Sequence, residues 1–467
     1  MALNPQFCPA RAEGFLHRWL DFILVLVLAG TGVSAAELTV GREGSGFRTV
    51  TEALAAARAG DTIRLTSGVY QEDLTLDRTV HLEGIGKPRL RGSGRGSIIV
   101  VNAPGCTIRG LVIEHCGGDL QNEDSGILLR SSGNRVEDND LVDILYGIYL
   151  YGARRNIIRG NTIRGRPELE IGERGAGLHL WNSPDNLIEN NRISETRDGL
   201  YIQSSPGSTI RQNQVYSLRY GVHYMFSDRN TFEDNVFAYC VAGAAIMYSY
   251  DIDFRRNAFV HNRGFSSFGI LFQECERCLA EGNFIIDNAT GIFMEALRDS
   301  RFHDNVIAEN DVALLMFSSA ERVVFCNNNF VQNLSPLQLV GRSTTTRWVC
   351  GGRGNYWSEY TGYDLNGDGT GDVQHRIQNI FGYMEGNHPR LRLYLESPAA
   401  QALELTERLF PVVRASQEID RAPLMRPVPL RYPFEGTEGS MSHVPLSLFS
   451  LGLLGVATTV ILWGRRK

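Results

Sequence analysis

Two groups of residues in this chain have side chains at spacings suited to chemistry. In the first, His223 and Met225 stand two residues apart, which on a β-strand places both on one side. Met247 follows Met225 by 22 positions (247 less 225), and His179 lies upstream. An imidazole nitrogen with two thioethers is a ligand set that favours monovalent copper, with His179 as a further contact. The same side chains also read as an apolar docking patch that binds no metal. The second group is DLNGDGTGD, in which Asp364, Asn366, Asp368, the Thr370 carbonyl and Asp372 alternate around a bend at Gly369. This is the opening of an EF-hand-type calcium loop, but its twelfth position, where a bidentate Glu is required, is His375. A calcium loop of reduced form and an ordinary Gly-rich turn both fit it.

The elements that must position the first group recur along the chain. GILLRSSGNRVEDN, GIYLYGARRNIIRGN, GLHLWNSPDNLIENN and six further variants of one phrase open at residues 126, 147, 177, 199, 221, 243, 269, 291 and 313. The intervals are 21, 30, 22, 22, 22, 26, 22 and 22. Three short β-like runs per repeat, with Gly and Asn at the corners, predict an all-β, right-handed parallel β-helix whose coils bury their faces on one another. Asn161, Asn191, Asn213, Asn235, Asn257, Asn283 and Asn305 recur at one place in the phrase, which predicts a stacked amide ladder at a tight corner.

Side chains one and three places after each opening, such as Ile148 and Leu150 and also Met294 and Met316, should fill the core. Those two and four places after it should face outward. Tyr149, Tyr151, Trp181 and Tyr201 make that face aromatic and suit it to partner docking, while Glu295 is its only carboxylate. The rival for this architecture is a calcium-dependent polysaccharide lyase or epimerase, or a carbohydrate-binding solenoid. An enzyme of that class needs carboxylates with Arg or Lys on the exposed face. The counted face lacks them, although aromatic rings suit sugars as well as proteins.

The rest of the chain closes and addresses this solenoid. Insertions at 166–174 and 262–268 should form loops on one side. An amphipathic run over 51–58 predicts a helix that plugs the first coil. The net charge of -6 with no basic run in the body excludes a nucleic-acid footprint. Residues 1–36 read as a cleaved secretory signal, with an apolar run over 22–29 and small residues before Glu37. Residues 446–463 read as a transmembrane helix stopped by Arg465, Arg466 and Lys467, which would anchor a periplasmic body to the inner membrane with the tail in the cytoplasm. Between these ends the expected divisions are 37–125 for the cap and first coils, 126–333 for the regular coils and 334–397 for a last coil with the Asp-rich loop. Residues 398–440 then read as a helix and a Pro-rich tether through Pro423, Pro427, Pro429 and Pro433. Outside the signal there are seven cysteines, an odd number, as suits an oxidising compartment with one thiol left over. Cys326 and Cys350 lie about one coil apart, within disulfide reach if stacked. The Cys275 and Cys278 CxxC sits inside a β repeat, so a structural role is expected.

The laddered coils, followed by GRGNYWSEYTGYDLNGDGTGDVQHR, FGYMEGNHPRLRLYLESPAAQALELTERLFP and a closing APLMRPV, resemble the NosD family of nitrous oxide reductase maturation proteins. The resemblance covers residues 37–430, and Gly354 to Pro429 is its specific part. Glu359, Gln374 and Ile377 are mild departures, and the apolar tail after Val444 is a larger one for a family known chiefly as soluble periplasmic proteins. The resemblance implies a non-enzymatic periplasmic maturation factor that delivers or inserts copper into nitrous oxide reductase. It would act with an ABC transporter of membrane subunit NosY and ATPase NosF, and with the copper chaperone NosL. The chain has no Walker motif, so ATP coupling would belong to the partner. The family provides no ligand motif that transfers residue by residue, so the copper contacts rest on the outward-face pattern alone.

Overall fold

In the computed structural model the described residues are 35–41, 46–341, 343–377, 397, 402 and 418–430. They form a parallel β-solenoid with three faces, two of 13 strands and one of 12. The 12-stranded face carries the longest strands, such as Tyr146–Tyr151, Asp198–Gln203 and Tyr220–Met225, and is called the long-strand face. Each coil continues through a first short-strand face, as at Ile157–Arg159, and a second, as at Thr162–Arg164. Side-chain alternation explains the core: Leu200, Ile202, Ile210 and Val215 of one coil are all fully buried. Each such side chain contributes roughly 1.5–3 kcal/mol, but only with the neighbouring coils in place, which is why the repeat must be long. Phe232 stacks on Phe254 at 4.8 Å, and Phe302 on Phe325 at 4.6 Å, along the same axis.

One backbone detail sets which residues face out. A Cβ added to Gly199 would lie 2.3 Å from Val215 Cγ1, so the glycine itself faces the core. Leu200, the next residue, is also buried in the core. Two consecutive inward positions shift the alternation, and the residue before the glycine is turned outward.

The expected asparagine ladder is present and longer than its repeats. Nδ2 of Asn161, Asn191, Asn213, Asn235, Asn257 and Asn283 each donates to Oδ1 of the next rung at 2.9–3.0 Å. The ladder continues through Asn305, Asn328 and Asn355 and ends on the buried carboxylate of Asp420. Cys326 and Cys350 are disulfide-bonded, with Cα atoms 5.7 Å apart. Cys275 and Cys278 are unbonded and buried among core residues, a structural placement.

The segment expected as a tether is instead packed against the end of the solenoid over 418–430. Glu418 accepts from Trp348 Nε1 at 2.8 Å, Leu424 is buried, and Val428 exchanges two hydrogen bonds with Asn329. Pro423, Pro427 and Pro429 therefore lie on a docked run; Pro433 and residues 398–401 and 403–410 lie outside the described residues. The N-terminal helix spans Val50–Ala56, closed by a Thr49–Glu52 capping box, and buries Val50 and Ala53 against the first strands. No described helix is long and apolar enough to cross a membrane, and 446–463 and 1–34 fall outside the described residues.

Candidate functional site

The long-strand face presents three outward ladders, at the residue before each glycine and at two and four places after it. The first brings in a group that period-two counting from the glycine misses. Asp198 is fully buried, and its carboxylate accepts from Arg219 Nε at 3.0 Å and Nη2 at 2.7 Å. Arg197 Nε lies at 3.4 Å, and His223 Nδ1 faces the same carboxylate at 3.4 Å. Burial alone would raise this carboxyl, but His223 and Arg219 hold it below its ordinary value. An ionised carboxylate can only accept, so Nδ1 carries the imidazole proton and Nε2 is the nitrogen left for a metal. The sequence signal for Asp198 was its place directly before Gly199; the shifted alternation hid its meaning.

The structure brings together most, but not all, of the expected copper contacts. Met225 pairs directly with Met247 across neighbouring strands, and both are partly exposed. Parallel strands stand about 4.8 Å apart, so both thioethers can approach one ion, with His223 on the same strand and side as Met225. His179 is not part of this set. The Tyr201 ring separates it from His223, with centroid distances of 4.6 Å and 4.9 Å. His179 stacks on Tyr149 at 4.5 Å, is 6% exposed, and neither ring nitrogen has a hydrogen bond. Burial drives its pKa down to about 3.

Tyr149 is also buried, which corrects its expected place in the docking stripe. Glu123, from the loop at 117–124, accepts from its phenol, and burial with that carboxylate pushes the phenol well above its ordinary value. The loops at 117–124, 166–174 and 262–268 all leave at the corner before the long-strand face. Tyr151 is 53% exposed, and Trp181 and Tyr201 are partly exposed, so these three remain accessible.

The calcium expectation finds no support. Asp364 accepts from the backbone N–H of Gly367 and Gly369, Asp368 from Thr370 N, and Asp372 from Leu365 N, all at 2.7–2.8 Å. Asn366 accepts from Asp368 N at 2.9 Å. These carboxylates are spent on the loop's own backbone, as in a Gly-rich turn. Among the described residues no three His, Cys, Asp or Glu side chains come together to hold a metal.

With this geometry in place, comparison with known proteins gives a consistent result. The model of the family described as "Periplasmic copper-binding protein (NosD)" matches residues 60–172 and 166–362. A Pseudomonas aeruginosa protein named "Probable ABC transporter binding protein NosD" is 38% identical over 378 residues, covering 78% of this chain and 87% of that protein. A Stutzerimonas stutzeri protein of the same name is 34% identical over 380 residues, covering 78% and 86%. The A-module of the Azotobacter vinelandii mannuronan C-5 epimerase AlgE6 superposes with a TM-score of 0.51 at 14% identity, over 63% of this chain and 92% of that one, a likeness of fold alone. Together the two-part family match and the two relatives place this chain in the NosD family.

Proposed function

We propose that this chain is a non-enzymatic periplasmic maturation factor that works with an ABC transporter to deliver or insert copper, as cargo, into nitrous oxide reductase. The transporter is taken to be NosY with the ATPase NosF, and the copper donor NosL. The observation that carries this reading is the Met225–Met247 pair beside His223, whose Nδ1 is engaged by Asp198. Thioethers and one imidazole nitrogen suit monovalent copper, and the carboxylate behind the imidazole orients it as metal-binding histidines require. The relatives' names and the family description agree with such a role. The test is Met225→Leu with Met247→Leu, which keeps volume and apolar character. The variant should accumulate normally while the reductase from the same cells loses most of its copper and activity. Unchanged copper loading, with loss instead in Trp181→Ala and Tyr151→Ala, would make the face a docking surface that holds no metal.

A second reading has one observation in its favour. Asp198, Arg219, His223 and Tyr201 form the kind of acidic and basic cluster that a polysaccharide lyase or epimerase needs. Asp198 is fully buried beneath Arg219 and His223, so neither carboxylate oxygen is open to a substrate. Turnover of uronate polymers to unsaturated products would establish this reading and displace the first.

A further inference from the structure

The corner that follows the long-strand face repeats one left-handed residue per coil. Gly152, Asn182 and Ser204 fill it in three successive coils, at φ of 63°, 48° and 50°. These are small or polar types, suited to that conformation. The next two coils place Phe226 and Tyr248 there, at φ 50° and 51°, where a bulky side chain is disfavoured. Core packing does not explain them, because the rings are 53% and 36% exposed. They stack on each other instead, 5.1 Å apart and within 13° of parallel. With Tyr250, Asp228 and Glu274 they line a depression of about 340 Å³. A second, of about 330 Å³, shares Tyr250 and Glu274 and adds Glu295.

The charge of this groove indicates its occupant. Among the described residues Asp228, Glu274 and Glu295 have no ion-pair partner, while Glu276 is paired with Arg277 and Arg298 is the only basic residue of the lining. Arg277 already lies over the Tyr250 ring at 5.7 Å, which shows that this ring receives a guanidinium. We propose that the groove takes an arginine-bearing segment of a protein partner, its guanidinium stacked on the exposed rings and its N–H groups on Asp228 and Glu274. Met247, Gln273 and Glu295 form one ladder, so a partner held here would lie beside the methionine pair. The inference thus names the partner chemistry and rests on the reading of the chain as a binding subunit.

The test uses the purified exported protein, a fluorescent acetyl-Arg-Gly-Arg peptide and its citrulline counterpart, with no copper present. The arginine peptide should bind in a salt-sensitive manner, and the citrulline peptide at least tenfold more weakly. Phe226→Asn with Tyr248→Asn should weaken binding at least tenfold while leaving the melting temperature unchanged or higher, because Asn tolerates the left-handed corner. Glu274→Gln should weaken it severalfold. Equal binding of both peptides, no binding of either, preference for a neutral oligosaccharide, or a double Asn variant that binds normally would each overturn the proposal. Copper loading of the reductase is not measured here, so failure of this inference and failure of the copper reading are separate results.

Discussion

His179 is held where neither ring nitrogen finds a partner, between Tyr149 and Tyr201, with Glu123 Oε1 no closer than 3.9 Å. Arg197 adds to burial in keeping the ring neutral, against a smaller opposing effect of Asp198. The unfolded chain takes up a proton near pH 6.5 and the folded ring only near about 3. Between those values the unfolded state binds more protons, so stability from this site is complete above 6.5 and falls as the pH drops through the window. His375, pushed down to about 4 by burial, acts with the same sign. His179→Phe keeps the ring stack and removes the titration. It should melt at the same or a higher temperature at pH 7, and between pH 7 and 4 it should lose less stability than the parent, by up to about 1.4 kcal/mol per pH unit. Parallel pH profiles of melting for the two proteins would refute this. The outward placement of His179 was readable from its spacing. Its burial was not, because the covering carboxylate comes from a loop whose contact is distant in sequence.

Each rung of the amide ladder satisfies donors and acceptors on both neighbouring coils. Asn235 Nδ2 donates to Ile210 O and Asn257 Oδ1, both at 2.9 Å, and its Oδ1 accepts from Asn213 N and Nδ2 at 3.0 and 2.9 Å. Asn235→Ala leaves these buried groups unpaired, which should cost about 3 kcal/mol in denaturant unfolding. A loss below about 1 kcal/mol would mean that water or a neighbouring rung repairs the gap. The ladder was legible because one residue type recurs at one place in a 22-residue phrase. The outward face was less so, since Gly199 and Leu200 both point inward and shift the alternation that counting assumed. That shift concealed Asp198, and with it the strongest argument for the rival enzymatic reading.

At the scale of the whole molecule, a solenoid must finish the rows of hydrogen bonds that its repeat extends indefinitely. Here residues 354–357 and 418–430 do this. Asp420 replaces the next asparagine: Oδ2 accepts from Asn355 N at 2.8 Å and Trp357 Nε1 at 3.0 Å, and Oδ1 from Ala422 N at 3.0 Å. As the last rung it needs no donor. Gly354 permits the approach, since a Cβ there would lie 2.0 Å from Asp420 Oδ1. The GRGNYW motif was recognisable as a family mark, but its role was not, because its partner lies 65 residues on from Asn355 (420 less 355). The run that docks there looked like a proline tether. Asp420→Ala would strand the Asn355 and Trp357 donors and free the run over 418–430. Coupling along a solenoid passes mainly between neighbouring coils, so the damage should stay near that end. Amide hydrogen exchange should speed up at least tenfold over residues 324–357, equivalent to about 1.4 kcal/mol or more, and remain unchanged over 126–260. Asp420→Asn keeps an oxygen for Asn355 and Trp357 but turns an amide toward Ala422 N–H, so its effect should be intermediate. Uniform acceleration along the chain, or none at residues 324–357, would show that the docked run does not cap the ladder.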